Sequence, residues 1–101
     1  MDYEKYIKKM PGSGKKTTVF LFTLSTCIWC KKTKALLKEL GIEYSYVDVD
    51  LVGPDARERV LEDFSRYNKL LSYPTIVLNG GETVIVGFEE DRIKGILKNG
   101  R

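Results

Sequence analysis

The spacing of apolar positions changes along the chain, and each change marks an expected element. Tyr3, Tyr6, Ile7 and Met10 recur at i, i+3, i+4 and i+7, which predicts a short helix ended by Pro11-Gly12-Ser13-Gly14. Residues 1–16 therefore read as an N-terminal extension and flexible linker, and 17–101 as a single folded domain. Thr17 to Thr23 is nearly continuous in apolar and β-branched residues, as a strand covered on both faces should be. Thr33, Leu36, Leu37 and Leu40 then form a helical stripe from about Cys30 to Leu40. Lys31, Lys32, Lys34 and Lys38 fall off that stripe on a solvated face, and Gly41 suits the left-handed position past the helix end.

The second half repeats the alternation. Glu43 to Asp50 has the period of a strand, with Tyr44, Tyr46 and Asp48 set against Ser45, Val47 and Val49. Gly53-Pro54-Asp55 opens a second helix whose core positions are Val60, Leu61, Phe64 and Leu71. Ser72-Tyr73-Pro74 stops it, and Thr75 to Leu78 is a strand that starts just after proline. Asn79-Gly80-Gly81 signals a hairpin into a strand over Glu82 to Val86. Gly87-Phe88 turns the chain, and Glu89-Glu90-Asp91 begins a last helix with Ile93, Ile96 and Leu97 on one face before Asn99-Gly100. The predicted order is β-α-β-α-β-β-α: an α/β domain with a four-stranded mixed sheet, helices on both faces and a short N-terminal helical extension.

Composition narrows the function. One domain fits in 101 residues, and 17 basic against 14 acidic residues scattered along the chain give a net charge of +3 without the concentrated stripe that nucleic acid would need. No apolar run reaches the roughly 18 residues of a membrane span. Met1 to Lys16 lacks the apolar core of a signal peptide, so a cytoplasmic location is expected, with no membrane partner. Lys15 after Gly14 fails as a phosphate loop, because Lys9 stands where its first glycine belongs and Lys16 replaces the Ser/Thr. Histidine is absent, which removes the commonest general base and metal ligand.

What remains is the pair Cys27 and Cys30, spaced as Cys-x-x-Cys at the start of a basic helix. A thiol attacks as thiolate, which a helix N-terminus and nearby cations favour. Cys27 precedes the helix and has Lys31 and Lys32 within reach, so it is the expected nucleophile, forming a mixed disulfide with substrate. Cys30, one turn inside, is the expected resolving thiol. Two blander readings stand beside this one. Half a zinc site would need ligands from elsewhere, and a bridge across two intervening residues constrains the unfolded chain too little to be structural. Trp29 is a candidate contact platform for substrate. Tyr73, preceding Pro74, would present its backbone to an extended substrate if that peptide were cis, and Gly87 with Phe88 leads to a helix N-terminus suited to an anionic group.

Over about Thr17 to Leu97 the chain resembles the glutaredoxin family of the thioredoxin fold. The resemblance is carried by Thr26-Cys27-Ile28-Trp29-Cys30, Lys34-Ala35-Leu36-Leu37, Tyr46-Val47-Asp48-Val49-Asp50, Tyr73-Pro74-Thr75 and Gly87-Phe88 before an acidic helix start. It implies a cis proline at Pro74 packed against the cysteines, and dithiol exchange by a monomer with no cofactor. Leu24 stands where members that use glutathione typically carry lysine, and Gly87-Phe88 with Asp91 is similar to redoxins that serve ribonucleotide reductase. The resemblance thus implies a protein disulfide reductase recharged by a flavin-dependent or ferredoxin-linked thioredoxin reductase. Glutathione as the reductant is the first alternative. Ile28, in place of the family's usual proline, keeps open a second: an iron-sulfur cluster held between two chains.

Overall fold

The computed structural model describes residues 2–13 and 17–100, with side chains through Leu97. Strand β1 is Lys8–Met10, β2 Val19–Thr23, β3 Tyr44–Asp48, β4 Thr75–Leu78 and β5 Thr83–Val86; helix α1 is Ile28–Glu39, α2 Arg57–Tyr67 and α3 Glu90–Gly100. They form one sheet in the order β1-β3-β2-β4-β5. β2 and β3 are parallel, as the β-α-β reading requires, and every other neighbouring pair is antiparallel. The α/β class with helices on both faces is as expected.

The central strand sorts its side chains by parity. Val19 and Leu21 point to a core shared with Leu36 and Leu37 of α1, Ile76 and Leu78 of β4, Ile85 of β5, and Ile93 and Leu97 of α3. Phe22 points the other way, to Val47, Val60, Phe64 and Val77. Its ring stacks on Phe64 at 4.6 Å, 8° from parallel. Burial on both faces explains why Val19–Thr23 reads as an unbroken apolar run rather than an alternating one.

Three expectations need correction. The sheet has five strands, not four, because residues 8–10 pair with β3 through Lys8↔Tyr46, Lys9↔Ser45 and Met10↔Tyr44. The predicted N-terminal helix is only a 3-10 turn over Glu4–Tyr6. Tyr3 is buried in the Phe22–Phe64 core and donates to Asp63 Oδ2 at 2.9 Å, so tertiary contacts override the local period. Nor do Gly12 and Ser13 behave as a flexible linker. Ser13 bridges to Ile42, its N–H donating to the Gly41 carbonyl at 2.7 Å, and Gly12 lies so close to Glu43 that a Cβ there would collide with the Glu43 nitrogen. The rest of that expected linker, residues 14–16, lies outside the described residues.

The second helix begins at Arg57, three residues beyond Pro54, and ends at Tyr67, so Leu71 is in a loop at φ 52° and only partly buried. The Asn79-Gly80-Gly81 connection is a 3-10 turn with Gly80 at φ 68°, and it joins antiparallel strands as predicted.

Candidate active site at the start of the first helix

β2 ends at Thr23 beside β3, and Leu24-Ser25-Thr26 carries the chain over the sheet edge into α1. Cys27 is the capping residue of that helix, in extended backbone at φ −83°, ψ 116°. Its sulfur stands in for the oxygen of an ordinary cap and accepts the Cys30 N–H at 3.2 Å. The Cys27 N–H donates in turn to the Leu24 carbonyl at 3.2 Å. The turn is tied to the segment after β3: the Ser25 N–H donates to Asp50 Oδ1 at 2.9 Å, and its hydroxyl makes a shorter bond to Oδ2. Desolvation works to raise the Asp50 pKa, but the Ser25 hydrogen bonds outweigh it and hold the carboxyl below its ordinary value.

The two thiols differ in access. Cys27 is partly exposed, whereas Cys30 is fully buried. Burial pushes the Cys30 thiol up to about 12, and the hydrogen bond with Cys27 adds to it; the Leu24 backbone and the Lys34 ammonium pull the other way.

Around this pair the predicted contact residues converge. The Tyr73-Pro74 peptide is cis, and the Pro74 carbonyl accepts the Gly87 N–H at 2.8 Å. Trp29, Tyr73, Gly87 and Phe88 line one open groove of about 230 Å³. The Trp29 and Phe88 rings stack at 5.9 Å, and Gly87 takes φ +87°, a conformation that favours glycine at this turn. The Tyr73 phenol is raised, first by burial, then by the Asp50 carboxylate and by the Cys30 sulfur when it is ionised. Larger hollows of about 370 and 280 Å³ lie elsewhere, along Lys9, Thr18 and Glu43 and along Tyr3, Phe20 and Tyr67, and neither is lined by a thiol.

The lysines are redistributed relative to expectation. Lys31 and Lys32 are exposed, and the Lys32 ammonium lies 4.6 Å from the centre of the Trp29 ring. Lys34, expected on the solvated face, instead folds inward: its Nζ is 3.3 Å from Asp48 Oδ1 and 3.8 Å from the centre of the Tyr46 ring. Asp48 also accepts the hydroxyl of the buried Thr23 at 2.6 Å. The missed signal was spacing, since Lys34 lies four residues after Cys30 and so shares its face of α1.

The described residues contain no cluster of three or more metal-ligating side chains, and no helix among them is long and apolar enough to cross a membrane. A glutaredoxin family model matches residues 19–82, from β2 to the residue before β5. The chain is 36% identical over 78 residues to an uncharacterized glutaredoxin-like 8.6 kDa protein in the rubredoxin operon of Clostridium pasteurianum, covering 77% of this chain and 95% of that one. Among solved structures it is similar to a glutaredoxin from Methanosarcina mazei (40% identity, TM-score 0.79, 90% of this chain and 86% of that one). It is also similar to a methanoredoxin from Methanosarcina acetivorans (43% identity, TM-score 0.76, 81% and 85%). It is similar as well to a thioredoxin-like protein (30% identity, TM-score 0.57, 86% of this chain and 99% of that one), and the thioredoxin-like class matches the sheet and helix layers above. The chain belongs to the glutaredoxin family, whose chemistry is thiol-disulfide oxidoreduction.

Proposed function

We propose that this protein reduces protein disulfides through Cys27 and Cys30 and is recharged by a protein reductase rather than by glutathione. The observation that carries the reading is the asymmetry of the pair: a partly exposed sulfur at a helix cap, with a second thiol buried three residues behind it. The Cys27 thiolate attacks one sulfur of the substrate disulfide, forming a Cys27–substrate bond and expelling the other substrate sulfur as a thiolate that takes up a proton. Cys30 then loses its proton and attacks Cys27 Sγ, the mixed disulfide breaks, and the second substrate thiol leaves. Two electrons have passed to the substrate, and a Cys27–Cys30 disulfide remains for the reductase to reopen.

A protein substrate is supported by the apolar rim of the site. Ile28 and Trp29, at 63% and 52% exposed, flank the nucleophile, and Phe88 stacks on the indole. Leu24, where a glutathione-using member would carry a cation, supports a protein reductant.

The test is a reductant panel. Oxidised protein is incubated with glutathione, with a flavin thioredoxin reductase and with a ferredoxin-linked reductase, and thiols are counted over time. One of the enzymes should restore both thiols faster than glutathione; faster recovery with glutathione overturns the proposed reductant. Reduction of a protein disulfide should vanish in Cys27→Ser, and full turnover in that variant would end the assignment of the nucleophile.

A further inference from the structure

Cys30 poses a problem that its own position does not solve. It must give up a proton to attack, yet it is fully buried, and burial favours the neutral thiol. Three groups act on it: Cys27 from the turn, the Leu24 backbone beyond the end of β2, and Lys34 from the same helix; its own charge, once formed, bears in turn on Tyr73 in the loop before β4. Once Cys27 is tied up in a mixed disulfide it has neither a charge nor a thiol proton, so both of its unfavourable effects on Cys30 disappear. Burial then stands against Leu24 and Lys34, and Lys34 is the only cation of the set.

The placement of Lys34 is unusual for this chain. Its pair with Asp48 leaves the two side chains 20% and 11% exposed, whereas every other ion pair among the described residues has at least one partner more than 40% exposed. A mostly buried pair contributes little net stability, because desolvation of both ions offsets their attraction. Its effect lies instead in the field it makes. Asp48 is anchored from behind by Thr23, which is fully buried at the end of β2 and also donates to the Val47 carbonyl at 3.2 Å. The negative end of the pair is thereby fixed on the β2–β3 side, and the positive end lies on the helix face that carries Cys30. The Tyr46 ring, 3.8 Å from Nζ, supports the ammonium there without neutralising it.

We propose that Lys34, held in place by Asp48 and Thr23, is the positioning residue that makes the Cys30 thiolate available for the resolving step. It rests on the reading of Cys30 as the resolving thiol. The proton released by Cys30 passes to solvent and balances the one taken up by the departing substrate thiolate.

The step can be watched with Ellman's reagent and reduced protein in a stopped-flow instrument. Attack by Cys27 releases one 5-thio-2-nitrobenzoate and leaves another on its sulfur; attack by Cys30 releases the second. In Lys34→Met the rate-pH profile of the second phase should be displaced upward by about one pH unit, the low end of what a neighbouring opposite charge achieves. The thiolate fraction then falls about tenfold, while the more basic thiolate is about threefold more nucleophilic, so at neutral pH the second phase slows about threefold relative to the first. Lys34→Arg should restore the profile. Asp48→Asn, which leaves the ammonium unpaired, should displace it in the opposite direction, an outcome that loosening of the helix would not give. An undisplaced profile in Lys34→Met, or equal slowing in both variants without displacement, overturns the inference. A second phase that persists in Cys30→Ser overturns the reading beneath it instead.

Discussion

Cys30 shows how one residue ties stability to pH. Its thiol is raised from an ordinary value of 9.0 to about 12 in the folded chain, so as pH climbs the unfolded chain sheds this proton first. The corresponding stability is complete below about pH 9 and declines as pH rises towards 12. Tyr44, Tyr46 and Tyr73 are raised chiefly by burial and act in the same sense. Urea unfolding between pH 8 and 10.5 should therefore show a falling midpoint, and Cys30→Ala should flatten that fall without abolishing it. A variant as steep as the parent would mean the thiol is not buried in solution. The access difference behind this was legible in the sequence, because a Cys-x-x-Cys that starts a helix puts its first sulfur at the cap and its second one turn inside. The inward turn of Lys34 was not, since four lysines among eight residues look alike until Asp48 and Tyr46 are brought in from β3.

Among the elements, the N-terminal segment departs furthest from its local pattern. Its apolar spacing suits a helix, but three residues of β1 are held by pairing with β3 and by Tyr3, whose ring is buried against the far face of the sheet. Such a contact spans 60 residues and leaves no trace in a local window. Tyr3→Ala should cost about 3 kcal/mol, as for other large aromatic side chains lost from a core. Tyr3→Phe, which removes only the bond to Asp63, should cost about 1 kcal/mol, and denaturant midpoints separate the two. Gly12 gives a second check on the same segment. A methyl there must displace the Ile42–Glu43 backbone, so Gly12→Ala should destabilise by about 2 kcal/mol, a typical overpacking cost. An unchanged midpoint would return residues 11–13 to the status of a loose tether.

For the molecule as a whole, the sequence carried most where contacts are local. The β2-α1-β3 unit and the antiparallel β4-β5 pair follow from runs of period two and 3.6 joined by glycine turns, and together they supply every strand of the sheet except β1 at its edge. The fifth strand and the site's far wall did not follow so directly. Trp29 comes from the first third of the chain and Tyr73, Gly87 and Phe88 from the last third, and only the antiparallel placement of β4 beside β2 makes them neighbours. That neighbourhood has an optical consequence. Trp29 is the single tryptophan of the chain, half-exposed two residues from the Cys27 sulfur, with Phe88 stacked on it and the Lys32 ammonium near its ring. Excited at wavelengths its six tyrosines do not absorb, the protein therefore emits only from the proposed reaction site. A substrate held on Cys27 in the Cys30→Ser variant should dry the indole and shift its emission to shorter wavelength; a spectrum indifferent to the bound partner would place docking elsewhere. No label is needed, because the one indole of the chain already stands beside the Cys27 sulfur.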